Sequence, residues 1–129
     1  MKIKTSDLIG AQLDWAVAKI EGYEVDLSQN WHEATTCSIK ASYAGGTSLR
    51  WANGGSYSPH TDPAQTWPII DLELIALSPY GYTDAAWHAT KATPTKHFTA
   101  DGPTSLVAAM RCYVASELGD EVEIPNELL

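Results

Sequence analysis

Between Gly102-Pro103 and Gly119 the sequence carries a helical pattern with no face suited to water. Leu106, Val107, Met110, Tyr113, Val114 and Leu118 recur at helical spacing and form a broad apolar stripe. The opposite side holds Ala108, Cys112, Ala115 and Ser116, and only Arg111 and Glu117 bring charge. A helix with one wet side normally shows a charged face there. This pattern therefore predicts cover on both sides, from a sheet and the 24–60 segment or from another subunit. A homo-oligomer with this helix close to the contact is expected. Asp101-Gly102-Pro103 reads as a cap followed by proline at the first helical position, and Gly119 as a stop, which predicts a helix over 103–118.

A covered helix needs neighbours, and the rest of the chain offers them. Ile9, Leu13, Ala16, Val17 and Ile20 share one helical face, with Ser6, Asp7 or Gly10 as candidate caps and Gly22 as a stop, so a first helix is expected over about 7–21. In the middle, Thr61 or Asp62 can cap a helix that has Pro63 at its first position. Pro68 has no N–H to donate, so this helix should kink or restart before running on through Glu73. Beyond it, about 73–78 and 86–92 read as an antiparallel strand pair joined by Ser78–Asp84. Thr35–Tyr43 has strand composition, but Ala44-Gly45-Gly46-Thr47 and Asn53-Gly54-Gly55-Ser56 interrupt it, which leaves 24–60 as loop with one short hairpin. A chain of 129 residues suits one domain over 1–129, with a loop-rich segment at 24–56 and an acidic tail at 119–129. The expected class is α+β, a small antiparallel sheet of two to four strands packed between helices.

Charge narrows the partners. The formal net charge is −8, and the last 29 residues hold six carboxylates against one cation, Arg111. Such a surface repels phosphate backbones, so no nucleic acid is expected as partner. No stretch approaches the roughly 20 apolar residues of a membrane helix, and Met1-Lys2-Ile3-Lys4 does not lead into the apolar run of a signal peptide; no membrane association is expected. Cys37 and Cys112 lack a CxxC or CxxH setting and read as two reduced thiols of a cytoplasmic protein.

Three blocks then follow in a recognisable order. They are Gly10-Ala11-Gln12-Leu13-Asp14-Trp15-Ala16-Val17-Ala18-Lys19, then Tyr57-Ser58-Pro59-His60-Thr61-Asp62 with Trp67-Pro68-Ile69-Ile70-Asp71, then the run from Gly102 to Ser116 with Gly119-Asp120-Glu121-Val122. Together they resemble the NinX-like accessory proteins of tailed bacteriophages over most of the chain outside 24–55, and are similar, more distantly, to the phage ABA sandwich domain. The resemblance implies a phage or prophage accessory protein in the host cell cytoplasm. It carries no established activity.

Chemistry is sparse. His60, Asp62, His88 and His97 have the side chains of a metal or acid–base site, yet their spacing matches no HExxH or HxH pattern, and capping by Thr61 or Asp62 explains that position without chemistry. No GxSxG elbow and no phosphate-cradling glycine loop occurs. No catalytic residue, metal or cofactor is therefore assigned. The expected function is a non-catalytic binding module for a small polar or nucleotide-like ligand, with sequestration as its use. Its site would combine aromatic Tyr57, Trp67 and Trp87 with polar His60, Asp62, Gln65 and Arg111. Arg111 needs a partner, for which Asp14 or Asp71 stands first and an anionic ligand second. Two alternatives remain open: a module that binds or inhibits a host protein through acidic surface and exposed aromatics, and a small enzyme acting on a nucleotide-like substrate.

Overall fold

A computed structural model describes residues 1–27, 39–42, 48–51, 55–79 and 86–129. In chain order the elements are β1 (Lys2–Lys4), α1 (Gly10–Glu21), β2 (Val25–Asp26), β3 (Ile39–Ser42), β4 (Ser48–Trp51), β5 (Ser56–Tyr57), α2 (Pro63–Glu73), β6 (Ala76–Pro79), β7 (Trp87–Ala92), β8 (His97–Gly102), α3 (Ser105–Leu118) and β9 (Glu121–Glu123). The α+β class expected from the sequence is what the structure shows.

Helix α1 buries Leu13, Ala16 and Val17 as its period requires, together with Asp14, Trp15 and Ala18. Gly22 closes it in the left-handed conformation at φ 85°, where a residue without Cβ meets no steric penalty. None of the expected side-chain caps forms: Ile9 is the N-cap without a side-chain bond, and Thr5–Asp7 make a separate 3-10 turn. Ile9, placed on the apolar face by periodicity, is exposed because the helix begins after it.

Helix α2 has the predicted start, with Pro63 at its first position and the Asp62 carboxylate accepting the Ala64 N–H at 2.9 Å. It runs unbroken through Pro68, against the expected restart. The carbonyl that Pro68 leaves without a helical donor belongs to exposed Ala64, where water can serve it. The helix ends at Leu74, the one non-glycine residue with positive φ among those described, at 54°.

The carboxyl half holds a three-stranded antiparallel sheet in the order β6-β7-β8. Strand β6 begins at Ala76, later than expected, because Leu74 turns left-handed and the Ile75 N–H still closes on the Ile70 carbonyl at the end of α2. Strand β8 was not expected, and it takes Asp101-Gly102, which had read as a helix cap; Thr104 caps α3 instead, its hydroxyl accepting the Val107 N–H at 3.2 Å. A second sheet has the order β2-β3-β4-β5, with β2 and β3 parallel and the rest antiparallel. The hairpin expected in 24–60 is thus β3-β4, extended on both sides. The glycine breaks at 44–47 and 53–54, the connection at 80–84 and the Cys37 thiol lie outside the described residues.

Helix α3 is the centre. It packs on β7 and β8 along one side and on α1 and α2 along the other, and strands β2 and β4 cover α1 in turn. Val107, Ala108, Ala109, Met110, Cys112, Tyr113 and Val114 are all buried. The charge-poor face of α3 is therefore covered within the chain by the sheet, where Ala108 lies against Gly102 and Cys112 against Phe98 of β8 and Ser116 meets Lys91 of β7, so a contact between copies would have to use another surface. Finally, β9 pairs with β1 from Lys2↔Glu123 to Lys4↔Glu121, and Val122, Ile124 and Leu128 are buried. The segment 119–129, expected as an acidic tail, is anchored to the body by its alternate apolar residues.

Candidate functional site

The chain turns between β5 and α2 through Ser58-Pro59-His60-Thr61, with the N–H groups of Thr61 and Asp62 donating to the Ser58 carbonyl at 2.9 and 2.8 Å. Gln65 reaches back from the first turn of α2: its Oε1 accepts the Ser58 N–H at 2.7 Å and its Nε2 donates to the Ser56 carbonyl at 2.8 Å. The Thr66 hydroxyl donates to the carbonyls of Pro59 and Asp62. This turn is docked on α1 by His60. Its backbone N–H donates to Asp14 Oδ1 at 3.0 Å, and its ring Nδ1 lies 2.7 Å from Oδ2. The Asp14 side chain is only 2% exposed, that of His60 25%.

Electrostatics follow from that placement. Burial holds the Asp14 carboxyl above its ordinary range, although the His60 bonds pull the other way. The hydrogen bond to Asp14 raises His60 above 6.5, against the opposing effect of burial. Tyr57 is buried and meets Trp51 and Tyr23 edge to face, with ring centroids 5.2 and 5.8 Å away. Burial, with Asp14 and Glu21 nearby, pushes its phenol far above the usual value, so it remains neutral.

Of the residues expected to line a site, the structure gathers Tyr57, His60, Asp62 and Gln65 at the start of α2 and gives each polar one an internal partner. Trp67 faces outward, 53% exposed. Trp87 lies half-buried on β7, opposite Gly102. Arg111 sits on α3 and takes neither Asp14 nor Asp71 as partner. Its Nε donates to the Leu8 carbonyl at 3.0 Å and an Nη to the Asp101 carbonyl at 2.9 Å. It borders a cleft with Lys4, Ser6 and Thr99, apart from the α2 start.

Two features escaped sequence reasoning. Lys91 is buried on the inward face of β7, with its ammonium 2.8 Å from Glu73 and 3.3 Å from the Ser116 hydroxyl, tying β7 to α2 and α3. Its inward register becomes legible only once β8 is recognised beside β7. The other is the apolar content of the outward side of α2, where Leu72 and Leu74 are 81% and 82% exposed and Trp67 is exposed as well. The signal was a helix with apolar residues all round. Among the described residues no three His, Cys, Asp or Glu side chains gather to hold a metal, and no helix is long and apolar enough to cross a membrane.

A family model described as Bacteriophage P22, NinX matches residues 4–117, which takes in all three helices nearly entire and the turn before α2. The chain belongs to the NinX family. It is accordingly a phage accessory protein, and the resemblance read from the three sequence blocks is established. No curated protein sequence matches the chain. The NinX match spans both the Asp14–His60 contact and the outer face of α2.

Proposed function

We propose that this NinX-family protein is a non-catalytic protein-binding module, whose docking surface is the outer face of α2 and whose partner is a basic protein with an apolar groove. The observation that carries this reading is Leu74. It holds a left-handed backbone conformation that costs a leucine roughly 1 kcal/mol and that glycine or asparagine fills more readily. Its side chain stands 82% in water. Neither local geometry nor burial accounts for leucine there. With Trp67 and Leu72, also exposed on the outward side of α2, it adds to the large apolar side chains that this side offers to a partner. Among the described residues Asp71 is the one unpaired charge on α2, Glu73 being taken by Lys91, and the chain as a whole has net charge −8, so complementarity calls for a basic rim on the partner and disfavours a second copy. A small polar or nucleotide-like ligand at the α2 start has less support, since Gln65, His60 and Asp62 each hold groups of this chain.

The test places a photoreactive residue at position 72 and irradiates the protein in host extract. The cross-linked protein is then purified and its affinity measured. A basic partner is expected, bound at least ~10-fold more weakly by Trp67→Ser, as loss of an aromatic anchor implies, and more weakly in high salt. Trp67→Ser should leave the melting temperature unchanged because the ring is already exposed. No adduct, an adduct of the chain with itself, or affinity indifferent to Trp67→Ser overturns the reading.

A further inference from the structure

Residues of β1, β8, α3 and the turn into β9 border a cleft of about 240 Å³. Four charged residues border it: Lys4 and Arg111 of one sign, Asp120 and Glu121 of the other, with the hydroxyl residues Ser6 and Thr99 between them. Among the described residues none of the four takes part in an ion pair, although Lys4 and Glu121 stand opposite one another in the β1–β9 register. Arg111 is positioned by the Leu8 and Asp101 carbonyls, which neutralise no charge and leave the rest of its guanidinium without a protein hydrogen bond among the described residues; the Asp7 carboxylate acts on it only through space.

We infer that this cleft binds a small zwitterion of amino-acid size, its anionic group on Arg111 and Lys4 and its ammonium on Asp120 and Glu121. Size and charge decide the class. The cleft, about 240 Å³, is smaller than the roughly 300–1,000 Å³ of pockets that enclose drug-sized ligands, which favours a ligand smaller than a nucleotide. Balanced charge on its walls penalises a multiply charged anion: phosphate drawn to Arg111 also meets Asp120 and Glu121. A molecule carrying both signs pairs each group at once. Prior positioning of the guanidinium lowers the ordering cost that a mobile cation would add on binding. This site is independent of the α2 surface and stands whether or not that surface binds protein.

The experiment titrates the ¹⁵N-labelled full chain with L-alanine, N-acetylalanine, alaninamide and inorganic phosphate, following backbone amide shifts. Alanine is expected to shift the Ser6, Thr99 and Asp120 amides saturably, and to bind at least fivefold more tightly than the other three, each of which lacks one charge or carries excess of one. Arg111→Gln also removes two bonds to backbone, so the exposed Lys4→Gln and Asp120→Asn serve as the variants, and each should weaken alanine binding at least threefold. No saturable shift, equal binding of any comparison compound, or unchanged binding by both variants overturns the proposal.

Discussion

Asp14 is a carboxylate with almost no access to water, and the groups it accepts from decide where α2 begins. Both the backbone N–H and the ring of His60 reach it across 46 positions of sequence, so removing either partner leaves a buried group unsatisfied. His60 binds its proton more tightly folded than unfolded, because Asp14 faces it. The stability this contributes is fully present below about 6.5 and is lost as pH rises through the higher folded value. Asp14, also raised, acts with the same sign at lower pH. The His60 ring should therefore titrate above 6.5 in an NMR series, and Asp14→Asn should bring it down. Urea unfolding of wild type and His60→Gln should differ more at pH 6 than at pH 8. A ring titrating at or below 6.5, or a difference independent of pH, contradicts the account. Tyr57, His60 and Gln65 were legible as a group worth singling out, but their roles were not. Sequence shows that a side chain can donate or accept; it does not show that the partner is a carbonyl two turns away or a carboxylate on another helix. Arg111 misled for the same reason, since its partners are backbone carbonyls.

At the scale of elements, Gly102 sets how closely β8 approaches α3. A Cβ there would lie 2.7 Å from the Ala108 nitrogen and 3.0 Å from Val107 Cγ1. The obstacle is helix backbone, which cannot swing aside as a side-chain tip can. Gly102→Ala should therefore destabilise by about 1–3 kcal/mol, the usual cost of overpacking, read as a lower urea midpoint; an unchanged midpoint would show that β8 can shift freely. This glycine also shows why the strand was missed. Asp-Gly-Pro is a strong helix-start signal when read locally, yet Asp101 turns its carboxylate to His88 on β7, 2.6 Å away, and the chain remains extended through Gly102. Helices α1 and α3 were legible because their apolar periods are long. Both ends of α2 were legible as well, at Pro63 and Glu73; the start of β6 was not, since Leu72 to Leu77 suits a helix or a strand equally.

Over the whole molecule, the sequence implied cover on both sides of α3, and two layers provide it, the three-stranded sheet and the α1–α2 pair. Which segment supplied the second layer was hidden because Ala16, Ala18, Ala108 and Ala109 are small, fully buried residues that carry little periodic signal of their own. The acidic end was hidden differently: its carboxylates dominate the composition, while Val122, Ile124 and Leu128 do the anchoring. The apolar side chains exposed on α2 act in free solution as well. Trp67, Leu72 and Leu74 offer neighbouring molecules a sticky contact, and eight net negative charges hold those molecules apart. Repulsion of this kind reaches about 10 Å at 0.1 M salt and only about 3 Å at 1 M. The protein should thus behave as a charge-stabilised colloid: light scattering at fixed concentration should rise with sodium chloride for the wild type and remain flat for Leu72→Ser/Leu74→Ser. Added salt, usually a remedy for unwanted association between charged proteins, would here be what brings it on.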